Sequence, residues 1–268
     1  MNGNIALLIQ LFIIEDNSQM FKNDISITDQ YLKNKVILIT GAGDGIGKEA
    51  ALNFARHGAE VILLGKTVKK LENVYDQIVA EGNREPAIIP LDMSGATVKN
   101  YQDMNATIID QFGRLDGLLN NASVLNSLNP IEHINEGTFD KVMKVNFKAT
   151  FFLTQSLLPA LKRSESASIL FTSSSVGKRG KAYWGEYSFS KFATEGLMQT
   201  LADELEGTNI RVNAVNPGAT KTKMRSKAYP SEDVSKIAQP IDLMPIYIQL
   251  IGNVSNVHGQ SIDVQDYI

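Results

Sequence analysis

Tyr187 and Lys191 stand four residues apart in Tyr187-Ser188-Phe189-Ser190-Lys191. The run around them, Ala182 to Leu205, predicts a helix, because Ala193, Leu197, Leu201 and Leu205 recur every four residues and no proline interrupts them. One helical turn is about four residues, so both side chains share a face. A free phenol has a pKa near ~10 and is a poor acid or base at neutral pH. An ammonium held close by favours the phenolate and lowers that pKa toward the working range. Ser174 lies thirteen residues upstream, just after the apolar run Ile169-Leu170-Phe171. A serine, a tyrosine and a lysine around one carbonyl can polarise it and move a proton. The same spacing also arises on plain amphipathic helices with a half-buried tyrosine, so the preceding elements decide between the two.

Those elements begin at Lys35. Val36-Ile37-Leu38-Ile39 suits a strand buried on both faces, and Thr40-Gly41-Ala42-Gly43-Asp44-Gly45-Ile46-Gly47 follows at once. Lys48 to His57 then reads as a helix with Ala50, Ala51, Phe54 and Ala55 inward. Strand, glycine turn and helix in this order bring backbone N–H groups against a pyrophosphate. Gly41 allows the tight turn, while Gly45 and Gly47 allow phosphate and the next strand to approach. Gly43, Asp44 and Ile46 complete the loop. A second strand, Glu60 to Leu64, leads into Gly65-Lys66. An acidic residue there would bind ribose hydroxyls and repel a 2′-phosphate, so Lys66 favours NADP(H) over NAD(H). Lys69 and Lys70 read as the solvated face of the next helix, Lys66 to Glu81.

The alternation continues. Ala87 to Leu91 predicts a third strand ending at Asp92, and Val98 to Phe112 a helix. Arg114 to Leu119 leads a fourth strand into Asn120-Asn121-Ala122-Ser123. Leu125 to Glu136 is irregular, and Phe139 to Leu161 predicts one long helix disturbed only near Pro159. Ser168 to Thr172 and Ile210 to Val215 predict two more strands. Residues 223–240, polar and punctuated by Pro230 and Pro240, read as a mobile flap. Asp242 to Leu250 and Gln260 to Val264 close the chain as helix and strand. The pattern predicts an α/β fold, a doubly wound parallel sheet of Rossmann type, as a single domain over residues 32–268. Residues 1–31 form an N-terminal extension. Its apolar run Ile5 to Ile14 is too short to span a bilayer, and Met20 is the expected true start.

Thr40-Gly41-x-x-x-Gly45-x-Gly47, Asn120-Asn121-Ala122, Val145-Asn146, the Ser174, Tyr187 and Lys191 set, and Pro217-Gly218 resemble the short-chain dehydrogenase/reductase family. The resemblance covers roughly Lys35 to the C-terminus. It implies that Asp92 touches the adenine, where the alternative is an N-cap role shared with Ser94. It implies that Asn121 and Ala122 line the crevice beside the cofactor, and that Asn146 bends its helix and holds a water leading to the lysine. The plainer role for Asn146 is packing. Ser174 would hydrogen-bond the reacting oxygen; it alone of three adjacent serines satisfies the family's counts to the tyrosine and to Gly177. Tyr187 would exchange the proton, and Lys191 would lower its pKa and grip the nicotinamide ribose. The turn at Pro217-Gly218 would pass around the nicotinamide, with Thr220 offering backbone to the carboxamide and Thr222 its hydroxyl to the amide or phosphates. Asp44 pulls against NADP(H), because many relatives using that cofactor carry a basic residue there. Ser123 replaces a family glycine, which implies a backbone without positive φ and no contact with a reacting group. Phe171 to Gly177, Ser190 to Gly196 and Asp242 to Pro245 further resemble the family's bacterial YciK group.

Composition excludes other classes. With 26 basic against 29 acidic residues and a net charge of -3, the chain is neither a nucleic-acid coat nor a polybasic membrane binder. There are 0 cysteines, and His57, His133 and His258 lack ligand spacing, so no metal site is expected. The expected activity is hydride transfer between NADP(H) and a small-molecule carbonyl or secondary alcohol. The alternative is a catalytically silent nucleotide-binding protein on the same fold. A cytoplasmic homodimer or homotetramer, paired across the long helices, is expected from the resemblance. Trp184 either walls the substrate pocket or packs under the loop before Tyr187. Lys178, Arg179, Lys181, Lys221, Lys223 and Arg225 surround the expected opening. They suit an acidic substrate or are solvated surface charge.

Overall fold

The computed structural model describes residues 30–252 and 256–268. The apolar run Ile5 to Ile14 and Met20 lie outside the described residues. Seven parallel strands form one sheet in the order β3-β2-β1-β4-β5-β6-β7. They are β1 (Val36–Thr40), β2 (Glu60–Gly65), β3 (Ala87–Pro90), β4 (Gly117–Asn120), β5 (Ala167–Thr172), β6 (Ile210–Asn216) and β7 (Ser261–Asp263). The order reverses between β1 and β4, so the crevice beyond their carboxyl ends is open for a ligand.

Each central strand carries two apolar faces. Ile37, Ile39, Val61 and Leu63 point to one side, and pack against Ala50, Ala51 and Phe54 of α1 (Gly45–Arg56), Leu71 of α2 (Val68–Ala80) and Tyr247 of α8 (Met244–Ile251). Val36, Leu38, Ile62 and Leu64 point to the other. Their partners are Tyr101 and Ile108 of α3 (Val98–Phe112), Leu153 and Leu157 of α5 (Ala149–Leu161) and Met198 and Leu201 of α6 (Gly185–Glu204). Alternation along β-branched and aliphatic strands thus builds both layers of core.

Three local expectations change. The helix expected from Phe139 to Leu161 is two, α4 (Glu136–Met143) and α5, joined by a π turn over Lys144–Lys148. The break falls at Asn146, and Pro159 is carried inside α5. Neither Asp92 nor Ser94 caps α3. Thr97 does so in a reciprocal box with Asn100, while Asp92 accepts the Ser94 N–H at 2.9 Å and its hydroxyl at 2.8 Å in a tight turn. Part of residues 223–240 is helical: α7 (Lys223–Ala228) starts on Thr222, whose hydroxyl accepts the Arg225 N–H at 3.1 Å. Lys221 N–H, donated to Ala238 carbonyl at 2.9 Å, closes the base of this segment.

Candidate active site

A cavity of about 390 Å³ opens where β1, β4, β5 and β6 end. Its floor at one end is the turn after β1, where Gly41 and Gly45 have φ of 69° and 53°. A Cβ on Gly47 would lie 2.4 Å from the Gly41 carbonyl oxygen and 2.6 Å from Asn121 Nδ2. Only glycine lets α1 start this close to the turn. Asn121 and Ala122 are fastened to the same place, because both backbone N–H groups donate to Thr40 Oγ1 at 2.9 Å. The Asn121 amide also donates to the Thr40 carbonyl at 3.2 Å. Gly41, Gly43, Gly45, Asn121 and Ala122 therefore leave a backbone-lined cradle at a helix N-terminus, which fits a dinucleotide pyrophosphate.

Asp44 caps α1, accepting the Gly45 N–H at 2.9 Å. Its other oxygen takes Lys70 Nζ at 2.6 Å and Lys223 Nζ at 3.0 Å. Burial pushes this carboxyl up, but the two ammonium donors outweigh it and bring the pKa down to about 2. Asp44 is therefore committed to two lysines rather than free to repel a phosphate. Lys70 also departs from expectation: it turns into the cavity, while Lys69 pairs with Glu72 on the exposed helix face. With Lys66 at the end of β2, this end of the cavity holds three cations and one anion. Asp92, with Lys66, lines an adjoining cleft of about 160 Å³ beside β2 and β3, where an adenine would reach it.

At the other end stand Ser174, Tyr187 and Lys191. The structure brings all three to one wall, on β5's exit and α6. Of the three adjacent serines, Ser173 and Ser174 both line the cavity, the Ser173 hydroxyl is bound to Glu195, and Ser175 is exposed. Lys191 is 3% exposed, and its Nζ donates to the Thr172 carbonyl at 2.7 Å. The ammonium lies 5.5 Å from the Tyr187 ring centroid. Gly177 is what lets the chain after Ser174 press on this lysine, since a Cβ there would be 2.8 Å from Lys191 Cβ.

The ionisation of the pair differs from the sequence expectation. Burial pushes the Tyr187 phenol up to about 12, against the smaller opposing effects of the Ser123 and Ser174 hydroxyls. Burial likewise lowers Lys191 to about 8, against the field of Glu195. The cause is that both groups have left water, which penalises either charged form. Tyr187 is thus held protonated at neutral pH. Ser123 was expected to touch no reacting group, yet its hydroxyl lies beside the phenol and favours its ionised form. Its backbone is free of positive φ, as the substitution of glycine implied.

Asn146 sits in the π turn with every side-chain donor and acceptor engaged. Its oxygen accepts the Val124 N–H at 2.8 Å, and its nitrogen donates to the Val124 carbonyl at 3.0 Å and to Ser190 Oγ at 3.1 Å. It thereby docks the loop after β4 onto the residue before Lys191. Pro217, Gly218, Thr220 and Thr222 line the cavity from the β6 side, with Gly218 at φ 68°. Thr220 turns its hydroxyl back to the Pro217 carbonyl at 3.1 Å. The sequence reading missed Thr40, Thr172 and Glu195. Glu195 lies one turn beyond Lys191 and accepts the hydroxyls of Ser173 and, at 2.8 Å, Ser261. The four-residue spacing from Lys191 was the available signal.

Fold and site together define the class. The sequence profile described as short chain dehydrogenase matches residues 35–233, and the chain belongs to that family. It is an oxidoreductase of the short-chain type. The uncharacterized oxidoreductase YciK of Escherichia coli K12 is 48% identical over 235 residues, covering 87% of this chain and 93% of that protein. A short chain dehydrogenase structure from Pseudomonas syringae is 52% identical at TM-score 0.88, covering 91% of this chain and 99% of that one. Another, from Escherichia coli CFT073 complexed with NADPH, is 46% identical at TM-score 0.87, covering 89% and 99%. No described helix is long and apolar enough to cross a membrane.

The buried amine makes a prediction about stability. Lys191 titrates near 8 when folded against 10.5 when unfolded, so the unfolded chain binds more protons between those values. The contribution of this group to stability therefore rises with pH from about 8 to about 10.5. Urea denaturation of the wild type and of Lys191→Met should diverge in that window, the wild type gaining roughly 2 kcal/mol over the variant between about pH 8 and 10. Parallel curves would mean that the amine is not desolvated.

Proposed function

We propose that this protein is an NADP(H)-dependent oxidoreductase that moves a hydride between nicotinamide and the carbonyl or secondary alcohol of a small molecule. The observation that carries the reading is one continuous cavity. It joins a glycine cradle and a cationic end to a half-buried serine and a buried tyrosine and lysine. The relative crystallised with NADPH supports the cofactor. When bound, the cofactor supplies the hydride at nicotinamide C4.

The chain supplies everything else. Gly41, Gly43, Gly45, Ile46 and Gly47 take the pyrophosphate on backbone N–H groups and the α1 N-terminus. Lys66 and Lys70 take the 2′-phosphate, and Asp92 the adenine. Asn121, Ala122, Pro217, Gly218, Thr220 and Thr222 wall the nicotinamide half. Ser174 donates a hydrogen bond to the substrate oxygen. Tyr187, protonated at neutral pH, passes its proton to that oxygen in reduction and recovers it in oxidation. Lys191 grips the nicotinamide ribose, and its charge stabilises the phenolate left behind. Asn146 holds the relay that returns protons toward Lys191.

We also propose a cytoplasmic homodimer or homotetramer. Phe189 and Phe192 on α6 are each 45% exposed, and Phe139 on α4 is 37% exposed. Large apolar side chains left outward on neighbouring helices suit association. Light scattering should give two or four times the mass of one chain, and a monomer at micromolar concentration would sink this part.

Tyr187→Phe should lower turnover by about 10³-fold while NADPH binding, followed by cofactor fluorescence, stays within a factor of about two. Retained turnover would remove Tyr187 from the proton step. Lys70→Glu should raise the Kd for NADPH by about 30-fold and leave that for NADH within about threefold. Equal losses for both cofactors would show that Lys70 does not read the 2′-phosphate.

A further inference from the structure

Beyond Tyr187 the cavity changes character. Leu125, Val176 and Tyr187 form a small apolar cluster of their own, separate from the two cores, with Trp184, Met224 and Ala228 packed against it. Leu125, Trp184, Met224 and Ala228 line the cavity directly. They come from three segments: the loop after β4, the residue that begins α6, and α7. Trp184 is the only tryptophan in the chain and meets Tyr187 edge-on, with ring centroids 5.7 Å apart. Tyr229, just past α7, lies 5.9 Å from it, and the Lys181 ammonium 6.0 Å. Such an arrangement holds the indole upright as one wall of the space above the phenol.

Three of the cations around this opening are paired with carboxylates. Arg225 donates Nε to Glu232 at 2.7 Å and lays its guanidinium on the Tyr229 ring at 3.8 Å. Lys178 pairs with Asp263 at 3.0 Å, Lys223 with Asp44 at 3.0 Å, and Lys181 donates to the Tyr229 hydroxyl at 2.7 Å. Arg179 and Lys221 are exposed and do not line the cavity. A carboxylate or phosphate entering here would lose its water against leucine, methionine and indole, and Arg225, the lining cation on α7 beside them, is already held by Glu232.

We infer that the substrate is an uncharged carbonyl compound, or the matching alcohol, with a flat or bulky apolar body. The body stacks on Trp184 and is closed over by Met224 and Ala228 of α7, while its oxygen reaches Ser174 and Tyr187. The inference rests on the oxidoreductase reading above and deepens it. It replaces the acidic substrate that the ring of basic residues suggested.

Acetophenone and benzoylformate make the test, because the second carries a carboxylate where the first has a methyl group. Its carbonyl is also the more electrophilic, so intrinsic reactivity works against the expected result. With NADPH, kcat/KM for acetophenone should exceed that for benzoylformate by at least about tenfold. Trp184→Ala should raise the acetophenone KM by about tenfold, and the KM for acetone, too small to reach the indole, by under about twofold. A second arm needs no turnover. In Tyr187→Phe protein loaded with NADP, acetophenone should quench the single tryptophan saturably, and benzoylformate should not. Saturable quenching without turnover by the wild type would overturn the oxidoreductase reading and leave the apolar site standing. Preferred turnover of benzoylformate would overturn the substrate class and leave the enzyme standing. An absence of acetophenone quenching up to its solubility limit would also overturn the class.

Discussion

The ammonium of Lys191 is out of water, and the site is arranged around keeping it there. Its bond to the Thr172 carbonyl uses an acceptor freed where β5 leaves the sheet. Glu195, one turn along α6, supplies the opposing charge and ties in Ser173 and Ser261. Two strands, β5 and β7, and one long helix are thus held to one cation. Removing a charge from water costs several kcal/mol, and that cost is what draws the carbonyl, the carboxylate and the tight Gly177 contact into place. The same desolvation raises the phenol above it, so the pair rests as an ammonium and a neutral tyrosine.

The cofactor end is organised by the opposite device, an anion holding cations. Asp44 reads as hostile to a 2′-phosphate when it is seen only as a loop aspartate. In space it caps α1 and gathers Lys70 from α2 and Lys223 from α7, so the local balance stays positive. Through Lys223 it also ties α7, which carries Met224 and Ala228 over the substrate end, to the glycine turn. One carboxylate therefore links the two halves of the cavity. Asn146 makes the corresponding link below, between the loop after β4 and α6.

Ser123 shows how a substitution changes meaning in three dimensions. As a replacement for glycine it says only that the backbone there is ordinary. Folded, it puts a second hydroxyl beside the phenol, together with that of Ser174. Trp184 was ambiguous for the same reason. Its position one turn before Tyr187 did not say whether it faced the cavity, and the packing of Tyr229 and Leu125 does.

The chain by itself determined the strands, the glycine turn and the face shared by Tyr187 and Lys191. Each of these depends on residues within a few positions of one another: apolar runs, positive φ at glycine, and the pitch of a helix. Even the disturbed long helix was legible, though its break lies at Asn146 rather than near Pro159, because a π turn leaves no propensity signal as strong as proline's. Tertiary structure decided the rest. Which way Lys70 points, what Asp44 binds, which rim cations are matched, and how burial sets the phenol and the amine all depend on partners far away in the chain. Coulomb and desolvation energies follow distance and exposure in space, which the order of residues does not state.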